Sequence, residues 1–101
     1  MELISEIKAI GFSCTYGSYK SPPSLPYTIV VESNDNDMKA DNHNYKKIRG
    51  HQLEYYNSKK YPLDEQKIED KLDELRLPYI KSETEIESEG LYQIVYEFQL
   101  I

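Results

Sequence analysis

The sequence predicts an α+β domain: an antiparallel or mixed β-sheet of about five strands, with two helices on one face and the element order α-β-β-β-α-β-β. Apolar residues recur at helical spacing in two segments, one at the start of the chain and one after Pro62. Segments that are β-branched or that alternate with period two predict the strands. A length of 101 residues without an internal repeat or linker predicts one domain over residues 1–101.

Four apolar residues at helical spacing, Leu3, Ile4, Ile7 and Ile10, predict the first helix. Gly11 follows directly and suits the end of a helix. Residues 12–26 are rich in Ser, Pro and Gly and have no period, which predicts a long loop. Loops of this length are uncommon in small domains unless they are functional or mobile, so this loop is a candidate binding element.

Three strands are predicted in the middle of the chain. Residues 27–32 are apolar on both faces and predict a central, buried strand, followed by a polar loop over 33–42. Residues 45–48 and 51–56 flank Arg49-Gly50, and a two-residue connection with Gly predicts a β-hairpin. Counting outward from that turn places Leu53 and Tyr55 on one face and Gln52 and Glu54 on the other.

Pro62 is predicted to open the second helix, with Asp64 and Glu65 at the positive end of the helix dipole. Its apolar stripe runs through residues 68, 72 and 75, and Pro78 is predicted to end it. Strands follow over 80–86 and 91–100. In the first, Ser, Thr and Ile alternate with a charged, solvent-facing set that includes Glu83 and Glu85. We predict a shared core of Ile29, Val31, Leu53, Ile68, Leu72, Ile94, Tyr96 and Phe98.

Composition argues against several classes of function. The net charge of −6 disfavours DNA, RNA and anionic membranes as main ligands. A single cysteine, Cys14, excludes an internal disulfide, and His43 and His51 cannot make a closed zinc site by themselves. Residues 35–46 resemble a calcium loop but lack its Gly and its final Glu. We therefore expect no catalytic residue, no cofactor and no metal.

An ordered set of short segments between residues 25 and 100 resembles a known family. The segments are 26–31 (PYTIVV), 40–42 (ADN), 45–48 (YKKI), 52–56 (QLEYY), 59–60 (KK), 86–89 (IESE) and 91–97 (LYQIVYE). The family comprises the small head–tail connector or tail-completion proteins, similar to tail terminators, of long-tailed phages and prophages of Gram-positive bacteria. The first 24 residues match it less clearly.

This resemblance implies a non-enzymatic structural subunit that completes the tail and joins it to the head connector. It implies tail tube and connector subunits as partners and a ring, often sixfold, in the assembled particle. It also implies location in the host bacterial cytoplasm during assembly and then in the virion. We expect no membrane partner and no specific nucleic-acid binding.

The loops are the predicted docking surface of such a subunit. Ser and Gly give the loop over 12–25 mobility, and tyrosines bury much area while freezing few torsions. Methionine gives the loop over 34–42 an adaptable apolar contact. The predicted partner-binding residues are Tyr16, Tyr19, Lys20, Met38, Asp41 and Asn42.

Two alternative functions are also compatible with the sequence. One is a small acidic regulator or inhibitor of a host protein, whose surface would mimic nucleic acid. The other is a module for single-stranded nucleic acid that uses the basic residues 46–49 and 59–60 beside tyrosines. The acidic excess elsewhere in the chain makes the second alternative the weaker one.

Overall fold

A five-stranded mixed sheet with two helices forms the fold, in a computed structural model that describes residues 2–33 and 49–100. The elements are α1 (Glu2–Ala9), β1 (Ser13–Tyr16), β2 (Tyr27–Ser33), β3 (Arg49–Asn57), α2 (Pro62–Glu74), β4 (Ile80–Ile86), a 3-10 turn (Glu87–Glu89) and β5 (Leu91–Leu100). The α+β class and the order α-β-β-β-α-β-β are confirmed.

The strands lie side by side in the order β1-β2-β3-β5-β4. Strand β1 runs parallel to β2, and the three other neighbouring pairs are antiparallel. The last strand in the chain, β5, therefore lies between β3 and β4. The two edges of the sheet are β1 and β4.

Both helices pack on the same face of the sheet, which we call the helix face. Helix α1 buries Leu3 and Ile7 and ends before Gly11, whose φ of 108° suits glycine. Helix α2 buries Ile68 and Leu72 against the same core. The core consists of Leu3, Ile7, Phe12, Cys14, Val30, Leu53, Tyr55, Ile68, Leu72, Ile94, Tyr96 and Phe98.

Two of the predicted local structures are wrong. Arg49 and Gly50 are not a hairpin turn, because they begin β3, where Gly50 pairs with both Ser33 and Gln99. The predicted strand over 45–48 lies outside the described residues, as does the predicted polar loop over 33–42 except for Ser33, which ends β2. Residues 12–26 are not all loop, because Ser13–Tyr16 form β1.

The predicted face of β2 is also wrong. Val30 is fully buried in the core, whereas Ile29 and Val31 are half-buried on the opposite face of the sheet. A run of four β-branched residues has no polar alternation to fix its register, so the sequence could not decide between the two faces. Strand β3, and not β2, is the central strand. The other six predicted core residues are buried together.

Strand β4 is turned over relative to the prediction. Lys81 lies opposite Tyr96 and Glu83 opposite Ile94, so its charged residues stand on the helix face. Ile80 points the other way and is 71% exposed.

Helix α2 ends at Glu74, four residues before Pro78. Arg76 adopts a φ of 60°, and the N–H of Leu77 donates to the carbonyl oxygen of Leu72 at 3.0 Å, which closes the helix.

Candidate interaction surface

The predicted docking loop is partly tied to the sheet. The N–H of Gly17 donates to the carbonyl oxygen of Val30 at 2.8 Å, which extends the contact between β1 and β2. The Tyr19 hydroxyl donates to the carbonyl oxygen of Thr28 at 3.1 Å, and burial raises the pKa of this hydroxyl. Tyr16, in contrast, is 49% exposed. The two tyrosines predicted as a pair of anchors therefore have different environments.

The other predicted partner-binding residues divide in the same way. Lys20 is exposed next to Tyr19. Met38, Asp41 and Asn42 lie outside the described residues. Among the predicted partner-binding residues that the structure describes, Tyr16 and Lys20 are thus exposed, whereas Tyr19 is half-buried.

Tyr19 belongs to a row of three tyrosine rings that the sequence did not predict. Its ring meets Tyr27 edge-on at 5.5 Å, and Tyr27 meets Tyr56 at 5.2 Å. The Tyr56 hydroxyl donates to Glu54 Oε1 at 2.8 Å and accepts from Gln93 Nε2 at 2.9 Å. Burial, and then the bond to Glu54, raises the pKa of Tyr56 to about 12. Tyr27 and Tyr56 lie opposite each other because β2 pairs with β3 in this register. The local sequence does not reveal that pairing.

The tyrosine row borders the face of the sheet opposite both helices, which we call the open face. The strand registers place on it Ser13, Thr15, Tyr27, Ile29, Val31, Gln52, Glu54, Tyr56, Ile80, Ser82, Thr84, Ile86, Leu91, Gln93, Val95, Glu97 and Gln99. No helix of residues 2–33 and 49–100 packs on this face, because the buried residues of α1 and α2 belong to the core on the other side.

The helix face carries a network of ion pairs between β4 and α2. Lys81 Nζ lies 2.8 Å from Glu65 Oε1 and 2.7 Å from Glu69 Oε2. Lys60 Nζ lies 3.1 Å from Glu65 and 2.9 Å from Glu83. Glu65 is only 4% exposed, and its second oxygen has no hydrogen-bond partner among residues 2–33 and 49–100. The two lysines therefore compensate a buried negative charge.

Tyrosine hydroxyls complete this polar layer. Tyr96 donates to Glu69 Oε2 at 2.9 Å, and Tyr92 donates to Glu83 Oε1. Sequence reasoning assigned Asp64 and Glu65 to the helix dipole alone, yet both are buried. The only feature of the sequence that could have indicated their burial is that these two acidic residues stand beside apolar residues in the first turn of α2.

A second hydrogen-bonded group borders an open cleft of about 520 Å³. Tyr55 donates its hydroxyl proton to Asp64 Oδ2 at 2.7 Å and accepts from Asn57 Nδ2 at 2.8 Å. The cleft lies between the end of α1 and the start of α2, with Phe12 and Lys67 among its walls. Asp64 is thus engaged with a neighbouring hydroxyl, as a structural acceptor.

The cysteine and the histidine within residues 2–33 and 49–100 are both buried. Cys14 is buried, and burial raises the pKa of its thiol. His51 is buried and stacks on Phe98 with ring centroids 6.1 Å apart. In these two ranges no three His, Cys, Asp or Glu side chains are grouped as metal ligands. No helix in them is long and apolar enough to cross a membrane.

Stability is expected to fall as the pH rises above about 10, the usual pKa of tyrosine. Burial is the first cause that raises the pKa values of Tyr55, Tyr56 and Tyr96, and hydrogen bonds to carboxylates are the second. A group whose pKa is raised on folding stabilises the folded state fully below its unfolded pKa. That contribution is lost as the pH rises through the folded pKa. Lys81, whose pKa its carboxylate partners raise in spite of burial, acts in the same direction.

The measurement is an alkaline titration followed by tyrosinate absorbance and circular dichroism together. We expect part of the tyrosinate signal to appear only with the loss of structure, and Tyr56→Phe to reduce that part. A smooth ionisation of all ten tyrosines with the circular dichroism unchanged would contradict the prediction.

Comparisons of the chain with protein-family models, with curated proteins and with solved structures found no match. The open face, the ionic network and the two sheet edges are therefore the features from which a function can be proposed.

Proposed function

We propose that this chain is a structural subunit of a long-tailed phage or prophage, which completes the tail and joins it to the head connector as part of a ring. The support from the sequence is the ordered resemblance over residues 25–100 to small tail-completion proteins. The support from the described side chains is that their buried carboxylates and hydroxyls bond to one another. Groups that are bonded in this way stabilise the fold, which is what a structural subunit that acts by binding its neighbours requires.

The observation that carries the proposal is the pair of unlike edges of the sheet. Strands β1 and β4 lie at opposite ends of the strand order, and no described strand pairs with the outer side of either. A contact between two different surfaces of identical subunits is heterologous, and it closes into a ring when the rotation between subunits allows. Addition of one strand to a free edge is a common way for chains to associate. Successive subunits can therefore join by β4 of one and β1 of the next.

The experiment is disruption of the gene in a phage that carries it. We expect lysates with filled heads and separate tails, seen by electron microscopy, and restoration of joined particles when the wild-type chain is supplied in trans. Antibody labelling of wild-type particles should mark the head–tail junction. Joined, infective particles in the absence of the chain, or label found elsewhere, would refute the proposal and favour the regulator hypothesis.

A further inference from the structure

Strand β4 ends the sheet with a long and regular edge. All seven of its residues pair with β5 in one continuous register, and no strand of residues 2–33 and 49–100 pairs with its outer side. Five of the seven side chains are exposed, and Ile80 is 71% exposed. Native edges are usually protected by short strands, prolines, bulges or lysines. Strand β4 has no proline and no bulge, and its one lysine, Lys81, is bound to Glu65 and Glu69 of α2.

The sequence of β4 is complementary to itself when two copies run antiparallel. The N–H and C=O groups of alternate residues point to the same side of a strand, so the register between two such edges changes in steps of two residues. Full overlap of the seven residues places apolar or hydroxyl pairs on the open face and opposite charges on the helix face. The pairs are Ile80 with Ile86, Ser82 with Thr84, and Lys81 with Glu85, each formed twice. Pairs of these kinds stabilise a sheet.

Glu83 lies opposite its own copy at the centre of this ladder. Two bare carboxylates placed directly opposite each other would destabilise the pairing. In each copy, however, Lys60 Nζ lies 2.9 Å from Glu83 Oε2, and the Tyr92 hydroxyl donates to Glu83 Oε1. Each Glu83 therefore brings its own compensating partners to the centre of the ladder.

Other strands and other registers fill this edge less completely. A shift of two residues in one direction places Glu83 against Glu85 twice, and like charges opposite each other are unfavourable. A shift in the other direction leaves Glu85 and Ile86 opposite residues outside β4. Strand β1 has four residues, against the seven of β4. A second copy of β4 in full overlap is thus the strand of this chain that matches the edge in length and in charge.

We propose that the free protein forms a two-fold dimer through β4, in which two five-stranded sheets join edge to edge. An antiparallel contact between identical edges is isologous, so it closes after two copies. The helices of both copies then lie on the same side of the joined sheet. This inference goes beyond head–tail joining, because it concerns the chain before assembly. The proposed ring uses the same edge, so the dimer must open before β4 can join a β1 strand.

Sedimentation equilibrium of the full-length protein tests for the dimer. We expect a reversible equilibrium between monomer and dimer over the micromolar to millimolar range, because a single pair of strands buries a small interface. A protein that remains monomeric over this range, or that forms larger assemblies without passing through a dimer, would overturn the proposal.

A charge-matched pair of variants locates the contact. Glu85→Lys places a lysine opposite Lys81 of the partner subunit, and we expect the dissociation constant of the dimer to rise about tenfold. Glu89→Lys makes the same change of net charge in the exposed 3-10 turn, outside the ladder, and is expected to leave this constant within about twofold. Equal effects of the two variants, or no effect of Glu85→Lys, would overturn the proposal.

An exposed apolar residue provides a second variant. If Glu85→Lys lowers the melting temperature, Ile80→Ser replaces it, since the side chain of Ile80 is 71% exposed and its loss leaves the fold intact. Ile80→Ser removes the contact with Ile86 at both ends of the ladder, and we expect it to weaken the dimer about threefold. A dimer of unchanged affinity would join through another surface, which would contradict the proposal.

Oxidative cross-linking measures the register. Residue 82 of one copy lies opposite residue 84 of the other, within reach of a disulfide, whereas the two copies of residue 82 are only diagonal neighbours. A mixture of the Ser82→Cys and Thr84→Cys proteins should therefore cross-link much faster than either variant alone. Cys14 is buried and does not compete. Rapid cross-linking of either variant alone would show a shifted register and overturn the pairing. None of these results depends on the phage experiment, so either proposal can fail alone.

Discussion

Ile94→Ala is expected to lower the free energy of unfolding by about 2–5 kcal/mol. Ile94 is fully buried on β5, opposite Tyr55 of β3 and Glu83 of β4. Truncation removes apolar contacts and leaves a cavity beneath the helices. The cavity cannot close fully because the surrounding side chains are closely packed. A domain of this size has a total stability of about 5–15 kcal/mol, so the variant approaches global unfolding.

Val95→Ala is the matched control for Ile94→Ala. Its side chain stands next in the chain but on the open face, and it is half-buried. We expect the free energy of unfolding to fall by less than about 1.5 kcal/mol, because no helix covers the methyl groups that are removed. Urea denaturation followed by circular dichroism measures both variants. A cost for Val95→Ala equal to that of Ile94→Ala would mean that the open face is covered.

Lys81→Met is expected to lower the free energy of unfolding by about 2–4 kcal/mol, less than for a fully buried pair because the lysine is partly exposed. Lys81 bonds to both Glu65 and Glu69, and Glu65 is 4% exposed. Met keeps the length of the side chain and its apolar stem, so the change isolates the charge. The cost arises because the buried Glu65 then keeps only the partly exposed Lys60 as a cation, and Glu69 keeps only the Tyr96 hydroxyl.

Lys60→Met is the control for the position of the charge. Lys60 also contacts Glu65, but its side chain is 40% exposed and water can replace it. The expected loss is below about 1 kcal/mol. Adding Glu65→Leu to Lys81→Met should recover stability, since the buried carboxylate that lost its closest cation is then gone. If Lys60→Met costs as much as Lys81→Met, or the double variant is the least stable of all, the network does not act as described.

The sequence predicted best the elements whose period is unambiguous. In β5, aromatic and aliphatic residues occupy every second position from Tyr92, three of the five residues between and beside them are Gln or Glu, and the predicted core residues Ile94, Tyr96 and Phe98 are buried. Helix α1 combines a regular apolar stripe with Gly11 directly after it. In both elements local propensity and burial favour the same structure, so no tertiary information was needed.

Other elements depend on partners that are distant in the chain. Strand β1 has four residues and no apolar period, and it is extended because it pairs with β2. Gly50 suggested a turn, but it lies in β3 and pairs with β2 on one side and with β5 on the other. In β4 the isoleucines suggested the core face, whereas Lys81 and Glu83 take that face, where Lys81 pairs with carboxylates of α2 and Glu83 pairs with Lys60.

The candidate surface was the least predictable part. Tyr19 was predicted to be a partner-binding residue of a mobile loop, whereas its ring stands in a row with Tyr27 and Tyr56. The open face is assembled from five strands, and the set of residues on it can be read only when their registers are known. Local patterning cannot combine positions so far apart, which is why the prediction concentrated on loops.

The position of β5 also determines when the sheet can form during synthesis. This strand is translated after the four others but lies between β3 and β4. Until it leaves the ribosome, β3 has one neighbour fewer and β4 has none, so the nascent chain exposes Leu53 and Tyr55. Domains generally fold as units during synthesis, and incomplete sheets with exposed apolar residues are prone to aggregate. The chain is therefore expected to fold late, in one step, and to depend on chaperones until that step.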